Sequence, residues 1–286
     1  MNFNPLLNLC PMSQIRRRLN KITLTIFLGV LGVAAAAAEP PSVQLEDLTW
    51  QEVRDRVAAG STTLLVPIGG TEQNGPYMVL GKHNARAKYL ANAIAQRLGN
   101  ALVAPVIAYV PEGQIRPPAA HMRFSGTISI SEAAFESLLE STARSFKQHG
   151  FRDVFFLGDH GGYQKNEEHV ASRLNREWGR DSSCRAHALL EYYKTTEDAF
   201  VAYLKNKGLS DSEIGTHAGV ADTSLALAVD KKLVHVDELS RAKGPAPGQG
   251  LYGDPRKSSV ELGQIGIELI IKNSVSAIQA ATRSSH

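Results

Sequence analysis

The sequence predicts an α/β protein, a single three-layer α/β/α domain with a mainly parallel central sheet. Two patterns carry this prediction. Short runs that are apolar on both faces, such as 62–68 and 154–157, alternate along the chain with segments that are apolar on one side at helical spacing. Strands of this kind are typical of parallel sheets that helices cover on both faces. No internal repeat and no linker interrupts the chain after residue 38, so residues 39–286 are predicted to form one domain.

Local signals place the elements of the first half. Thr49 and Glu52 have the spacing of a capping box, which opens a helix. Apolar residues from Ala87 to Leu98 recur at helical spacing before Gly99 and Asn100 close the segment. The predicted elements are a helix over 50–59, a strand over 62–68, a helix over 85–98 and a strand over 101–110.

The second half begins with a strong helix. Ser131 is a favoured N-cap residue, and Gly150 ends the apolar stripe that follows it. The further predicted elements are a helix over 132–149, a strand over 154–157, a helix over 165–178, a strand over 185–190, a helix over 196–207, a short helix over 222–229 and a final helix over 259–282. The final helix is expected either to cover the sheet or to form a subunit contact.

The first 38 residues have the pattern of a secretory signal peptide. They contain no acidic residue, carry Arg16, Arg17, Arg18 and Lys21 ahead of an apolar run over 22–34, and end in an alanine tract. The apolar run is short for a membrane span, which needs roughly 20 residues, so cleavage near Glu39 is expected rather than a retained anchor. The run RRRLNK loosely resembles a twin-arginine export signal. We therefore expect a periplasmic or secreted protein.

Charge and cysteine content narrow the function classes. The leader holds four of the 31 Lys and Arg residues and none of the 28 Asp and Glu residues, which leaves 27 against 28. A near-neutral chain has no basic footprint for nucleic acid and no basic face for a membrane surface. Cys10 leaves with the leader, and Cys184 then has no partner for an internal disulfide.

A long polar loop follows the first strand. It spans residues 67–83, is rich in Gly and Pro, and carries Glu72 and His83. Loops of this length inside a domain are usually functional or disordered. Ligands of open α/β sheets bind beyond the carboxyl ends of the strands, which favours function here.

A second polar loop, GDHGG over 158–162, follows the strand at 154–157. In a parallel sheet the two loops lie at the same edge, so Glu72, His83 and His160 are expected to converge. One carboxylate and two imidazoles are a common ligand set for catalytic zinc and also for non-haem iron. The alternative is that Glu72 caps the next segment and that His83 is a surface residue near a helix N-terminus.

Five dispersed segments carry a resemblance to a known family. They are GGTEQNGPYMVLGKHN, HMRFSGTISIS, LGDHGGYQ, THAGVADTS and YGDPRKSSVELG, in this order from about Leu64 to Gly263. Together they resemble the creatininase family of metal-dependent amidohydrolases. The resemblance implies a three-layer α/β fold, often a hexamer, with divalent metals that activate water against a carbon–nitrogen bond of a small substrate.

The first loop departs from the pattern of this family, which is E-Q-H-G-P-H-L-P-L-G-T-D. Glu72 and Gln73 remain, but Asn74 and Tyr77 replace histidines, and His83 replaces the aspartate that bridges two metals in the family. An imidazole nitrogen does not bridge two cations as a carboxylate does. We therefore expect one metal, most simply one Zn with Mn or Fe as alternatives, held by Glu72, His83 and His160.

The resemblance also suggests roles for residues in the other loops. His217 matches a histidine to which the family assigns proton transfer to the departing nitrogen, and Asp222 is expected to orient it or to reach the metal. Asp159 is expected to bind the metal or to support a ligand histidine; both aspartates have an alternative interpretation as turn or cap residues. The residues expected to bind substrate are Asn74, Tyr77, His121, Arg123, Tyr163 and Gln164.

The sequence thus predicts a hydrolase that uses metal-activated water on an amide, cyclic amide or related lactone, with a small-molecule substrate other than creatinine. A homo-oligomer is expected from the resemblance, without nucleic acid or membrane partners after signal cleavage. Two alternatives stay open. One is a catalytically decayed relative that only binds small molecules; the other is a mononuclear metal enzyme of another type, such as an iron oxygenase, a lyase or an isomerase.

Overall fold

The structure is a computed structural model that describes residues 42–179, 181, 183–242 and 244–285. The predicted signal peptide, residues 1–38, lies outside the described residues. None of the described helices combines the length and the apolar character needed to cross a membrane.

Four parallel strands form the central sheet in the order β2-β1-β3-β4. The strands are β1 (Thr63–Ile68), β2 (Ala101–Val103), β3 (Asp153–Gly158) and β4 (Arg185–Ala188). In the centre of the sheet, Leu65 pairs with Val103 on one side and with Phe155 on the other. Because β1 and β3 are neighbours and parallel, the loops that follow them leave the sheet at the same edge.

The helices are α1 (Trp50–Ala58), α2 (Lys82–Leu98), α3 (Glu132–Gln148), α4 (Gln164–Trp178), α5 (Leu190–Thr195), α6 (Val201–Asn206), α7 (Asp211–Ile214), α8 (Val220–Val229), α9 (Val236–Leu239) and α10 (Val260–Ser285). A π-helical segment, Thr196–Phe200, joins α5 to α6. The predicted caps are confirmed: Thr49 and Glu52 form the capping box of α1, and the Ser131 hydroxyl accepts from the backbone N–H of Ala134 at the start of α3.

Alternate residues of each strand enter two different apolar cores. Leu65 and Phe155 pack with α2, α5, α8 and α10 on one face of the sheet. Leu64 and Val154 pack with α3 and α4 on the other face, where α1 also lies. Burial on both faces explains why the strands read as continuous apolar runs. The three-layer α/β/α prediction is confirmed.

Two boundaries differ from the sequence prediction in ways that affect the site. Helix α2 begins at Lys82 rather than at 85, so Lys82 and His83 lie in its first turn instead of in the loop. Strand β2 ends at Val103, because Pro105 has no N–H to donate to a neighbouring strand. The predicted strand over 101–110 therefore becomes a short strand followed by an irregular segment that reaches Glu112.

Candidate metal centre

Four buried or half-buried side chains meet at the carboxyl edge of the sheet. Their potential ligand atoms all lie within 4.8 Å of one another, and they are Glu72, Glu112, His121 and His160. Glu72 comes from the loop after β1 and His160 from the turn after β3, as the parallel sheet predicts. Glu112 comes from the irregular segment after β2, and His121 comes from a short 3-10 helix further along, Ala120–Arg123. In the part of the chain that the structure describes, no other group of His, Cys, Asp and Glu has this geometry.

The oxygen atoms of this four-residue group are short of partners. Both carboxyl oxygens of Glu112 and the Oε2 of Glu72 are buried without a hydrogen bond among the described residues. Glu72 Oε2 lies 3.0 Å from His121 Nδ1 and 3.7 Å from His160 Nε2, and Glu112 Oε2 lies 3.8 Å from His160 Nδ1. Buried carboxyl oxygens are costly unless they are paired or coordinate a metal. The four residues therefore fit a divalent cation.

The electrostatics of the two carboxyl groups agree with this fit. Burial, followed by the charge of Glu72, raises the pKa of Glu112 to about 9. Burial also disfavours ionisation of Glu72, but the hydrogen bond from His83 and the neighbouring positive charges together outweigh it and hold the pKa of Glu72 well below its usual value. One of two adjacent carboxyl groups thus carries a proton when no cation lies between them.

The histidines of the site have the protonation that metal binding requires. Burial lowers the pKa of His160 to about 3, and burial also lowers the pKa of His121. A neutral imidazole is the form that binds a metal. Two imidazoles and two carboxylates suit Zn²⁺, and the same set also suits Mn²⁺ or Fe²⁺.

His83 lies between two carboxylates. Its Nε2 is 2.7 Å from Glu72 Oε1, and its Nδ1 is 2.7 Å from Asp159 Oδ2. Asp159 in turn accepts hydrogen bonds from Arg86 Nε at 2.8 Å and from the Tyr192 hydroxyl at 2.7 Å. Burial opposes ionisation of Asp159, but the charge of Arg86 and the hydrogen bonds from His83 and Tyr192 together outweigh it and lower the pKa of this carboxyl. The chain from Arg86 through Asp159 and His83 thus holds Glu72 in place.

The structure therefore places two of the four predicted metal ligands, Glu72 and His160, in the four-residue group. His83 and Asp159 lie outside this group, and their ring nitrogens and carboxyl oxygens contact other protein groups. Metal coordination by these two residues stays a prediction. Glu112 had no signal in the sequence beyond being an acidic residue in a Pro- and Gly-rich segment. His121 had been assigned to substrate binding, and the structure brings its ring to Glu72.

The predicted catalytic pair lies beside this group. His217 Nδ1 is 3.8 Å from Glu72 Oε1, and its Nε2 donates to the backbone carbonyl of Gln73 at 2.9 Å. Asp222 does not bond to the His217 ring directly; its Oδ2 accepts from the backbone N–H of Ala218 at 3.0 Å. Ala218 has a positive φ of 55°, which is uncommon for a residue other than glycine. Asp222 therefore fixes the strained turn that presents His217.

Gln73 connects the two sides of the site. Its Nε2 lies 3.0 Å from His121 Nδ1 and 3.1 Å from His217 Nε2. Its carboxamide fits against Gly250, where a Cβ atom would lie 1.8 Å from Gln73 Oε1. Glycine at 250 is thus required for the approach of this loop to the site.

The six predicted substrate residues separate into two groups. His121 and Arg123 line a cavity of about 300 Å³ that also reaches His160 and His217. The side chains of Asn74, Tyr163 and Gln164 instead donate to backbone carbonyls of the site loops, namely those of Glu72 and Val79, of Ile68 and Gly69, and of Gly158 and His160. Tyr77 packs against the apolar cluster between α8 and α9. These four residues support the loops of the site.

Two further cavities reach the same centre. One of about 320 Å³ is lined by Lys82, Arg86, His160, His217 and Asp222 among others. Another of about 520 Å³ is lined by Glu112, His121 and His160 among others. The three cavities share His160, so a substrate can approach the four-residue group from more than one side.

Fold and site together define a three-layer α/β protein with a candidate divalent-metal centre at the carboxyl edge of its sheet. The chain belongs to the creatininase family: the family model described as creatinine amidohydrolase matches residues 46–278. Members of this family are amidohydrolases.

The chain is similar to several characterised relatives. It is 27% identical to a creatinine amidohydrolase of Pseudomonas putida over 260 residues, covering 83% of this chain and 96% of that one. It is 33% identical over 181 residues to a mycofactocin precursor peptide peptidase of Mycolicibacterium smegmatis, covering 62% of this chain and 61% of that one. It is 25% identical over 198 residues to a 3-dehydro-scyllo-inosose hydrolase of Thermotoga maritima, covering 68% and 59%.

Solved structures of creatininases are also similar to this chain. A mutant creatininase described as of the zinc–zinc type superposes with a TM-score of 0.70 at 25% identity, covering 85% of this chain and 99% of that one. A creatininase described with manganese superposes with a TM-score of 0.67 at 26% identity, covering 84% and 99%. Both of these creatininases are described with divalent metals, which agrees with the chemistry of the four-residue group.

Proposed function

We propose that the chain is a metal-dependent hydrolase with one divalent ion, and that it cleaves a C–N bond of an amide or cyclic amide, or a related lactone bond, in a small molecule. The single observation that carries this proposal is the group of Glu72, Glu112, His121 and His160, in which Glu72 Oε2 and both carboxyl oxygens of Glu112 are buried without a hydrogen bond among the described residues. An ion held there supplies Lewis acidity, which polarises a carbonyl and lowers the pKa of a water molecule.

The use of one ion follows from the residues that surround this group. Asn74 stands where the resemblance implies a histidine, and its amide N–H groups donate to the carbonyls of Glu72 and Val79, which leaves only its Oδ1 without a hydrogen bond among the described residues. His83 spans Glu72 and Asp159 with both ring nitrogens. His83 therefore has no free ring nitrogen for a second ion, and an asparagine carboxamide is a poor ligand for zinc.

His217 is the proton carrier in this proposal. Burial, and then the charge of Lys82, lowers the pKa of His217 to about 4, so the ring is neutral at pH 7. With Nε2 donating to the Gln73 carbonyl, Nδ1 carries the lone pair and faces Glu72. Nδ1 accepts a proton from the attacking water and passes it to the leaving nitrogen or oxygen, a step typically worth about 10²- to 10⁴-fold in rate.

The substrate remains open within this class. The relatives are named for creatinine, a precursor peptide and an inosose as substrates. We do not expect creatinine here, because the first loop departs from the family pattern at Asn74, Tyr77 and His83. Arg123 lines the cavity beside His121, where it supports selection of a polar substrate.

The experiment that tests the function is a hydrolysis screen of cyclic amides, lactones and short peptides with the zinc-loaded protein. His160→Ala is expected to lose both zinc and activity, and His217→Ala is expected to keep zinc and lose most activity. His169→Ala is a matched control, because the side chain of His169 is 70% exposed and lies far along α4. Zinc binding without hydrolysis of any compound would favour the binding-only relative, and activity that requires iron and oxygen would favour the oxygenase.

Two further expectations from the sequence are proposals. Residues 1–38 direct export, which N-terminal sequencing of the mature protein would test by a start near Glu39. The chain assembles as a homo-oligomer, for which the resemblance suggests a hexamer; light scattering in solution would measure it.

A further inference from the structure

Lys82 is placed against two physical preferences. It is the first residue of α2, where the helix dipole disfavours a cation. Its side chain is also only 1% exposed, and a buried ammonium is costly unless it is paired and hydrogen-bonded. Residues that break local rules in this way are expected at functional sites.

The structure gives the Lys82 ammonium a single ionic partner among the described residues. Its Nζ lies 2.9 Å from Asp222 Oδ2 without the geometry of a hydrogen bond. Asp222 is already shared, since it also contacts Arg86 Nη1 at 3.1 Å and accepts from the backbone of Ala218. An ammonium has three N–H donors, so Lys82 has donors to spare.

Lys82 borders the site. Lys82 lines the cavity of about 320 Å³ together with His160, His217 and Asp222. Arg86 lines the same cavity, but its guanidinium is committed to Asp159 and Asp222. Lys82 is thus the cation of this cavity, within the described residues, that has N–H groups available to a ligand.

We propose that Lys82 binds a carboxylate oxygen of the substrate in this cavity, next to the candidate metal centre. The inference rests on the proposed function for the identity of the ligand as a substrate, and it defines the substrate class as small molecules that carry a carboxylate near the bond to be cleaved. Placed between Asp222 and the substrate carboxylate, the ammonium has an anion on either side, which reduces the cost of its burial. Lys82 is here a specificity-determining residue.

The test uses acetate as a probe and compares Lys82→Met with wild type, with Lys88→Met as a matched control. Lys88 lies on the same helix, and its side chain is 53% exposed. Acetate binding is measured by calorimetry on the zinc-loaded protein and on protein stripped of zinc. We expect Lys82→Met to weaken acetate binding about ten- to a hundredfold in both samples, since a hydrogen bond to a charged group is lost, and Lys88→Met to leave it unchanged.

Equal acetate binding by wild type and Lys82→Met would overturn the proposal. Loss of zinc from Lys82→Met would also overturn it, because Lys82 would then maintain the metal centre instead. If Lys82→Met does not fold, the double variant that combines Lys82→Met with Asp222→Asn removes both charges of the ion pair. The same weakening of acetate binding is expected for this double variant. A wild type that binds acetate through Lys82 but binds no zinc would refute the proposed function and leave only the carboxylate-binding part of this inference.

Discussion

His83 Nε2 lies 2.7 Å from Glu72 Oε1, and this contact joins the candidate metal centre to a buried network behind it. Through Asp159 the network reaches Arg86, which is 3% exposed. The resemblance to the family implies an aspartate at the position of His83; in this chain the imidazole of His83 instead contacts Glu72 from the side of Asp159. This arrangement is the reason why the proposed function uses one ion rather than two.

Replacement of His83 by Ala is expected to weaken zinc binding about 10- to 100-fold without abolishing it, because residues that orient a ligand have effects of this size. His160→Ala is expected to abolish binding. Zinc affinity is measured by competition with a chromophoric chelator, with His169→Ala as the control. Complete loss in His83→Ala would show that His83 is itself a ligand, as the sequence pattern predicted.

Zinc affinity is expected to rise with pH between 6 and 8. The pKa of Glu112 is raised to about 9, so the metal-free protein carries a proton on this carboxyl at neutral pH, and zinc must displace it. Below about 9, affinity therefore increases about tenfold per pH unit from this proton. The same competition assay at three pH values measures the slope.

Glu112→Gln is the matched variant for this pH dependence. It cannot ionise, so its zinc affinity is expected to be lower than that of wild type and nearly independent of pH over the same range. A wild-type affinity that does not change with pH would contradict the assignment of Glu112 to the metal centre.

Glu167 makes stability depend on pH at a place outside the site. It is fully buried on α4, and burial raises the pKa of its carboxyl well above the usual value of 4.5. Because the folded pKa is raised, this carboxyl favours the folded state below pH 4.5 and loses that contribution as pH rises toward the folded pKa. Glu167→Gln has no carboxyl to ionise and avoids this loss. Relative to wild type, its free energy of unfolding is therefore expected to increase by up to about 1.4 kcal/mol for each unit of rising pH.

Guanidinium unfolding at pH 5 and pH 7.5 measures this gain, and Glu168→Gln on the exposed face of the same helix is the control. The same difference between Glu167→Gln and wild type at both pH values would mean that the carboxyl ionises equally in the folded and unfolded states.

The sequence predicted the parts of the molecule that local physical rules determine. The apolar runs of β1 and β3 implied a parallel sheet, and a parallel sheet brings Glu72 and His160 to one edge. The capping signals at Thr49 and Ser131 placed two helices correctly. These features depend on neighbours in the chain or on strand order, both of which the pattern contains.

The sequence did not predict the features that depend on long-range packing. Glu112 follows an irregular segment without periodicity, so nothing local indicated that its carboxyl is buried beside Glu72. The earlier start of α2 was missed because Gly81, Lys82 and His83 look like loop residues, although Lys82 and His83 are buried in the first helical turn. The residue types of Asn74 and Tyr163 likewise do not indicate that their side chains donate hydrogen bonds to backbone carbonyls.

The most direct test of the central claim is the zinc content per chain of wild type, His121→Ala and His169→Ala after reconstitution, measured by plasma mass spectrometry. His121 discriminates well because the structure, and not the sequence pattern, places it beside Glu72. We predict one zinc per chain in wild type and in His169→Ala, and less than one tenth in His121→Ala. Two zinc ions per wild-type chain, or full zinc content in His121→Ala, would contradict a single ion held by Glu72, Glu112, His121 and His160.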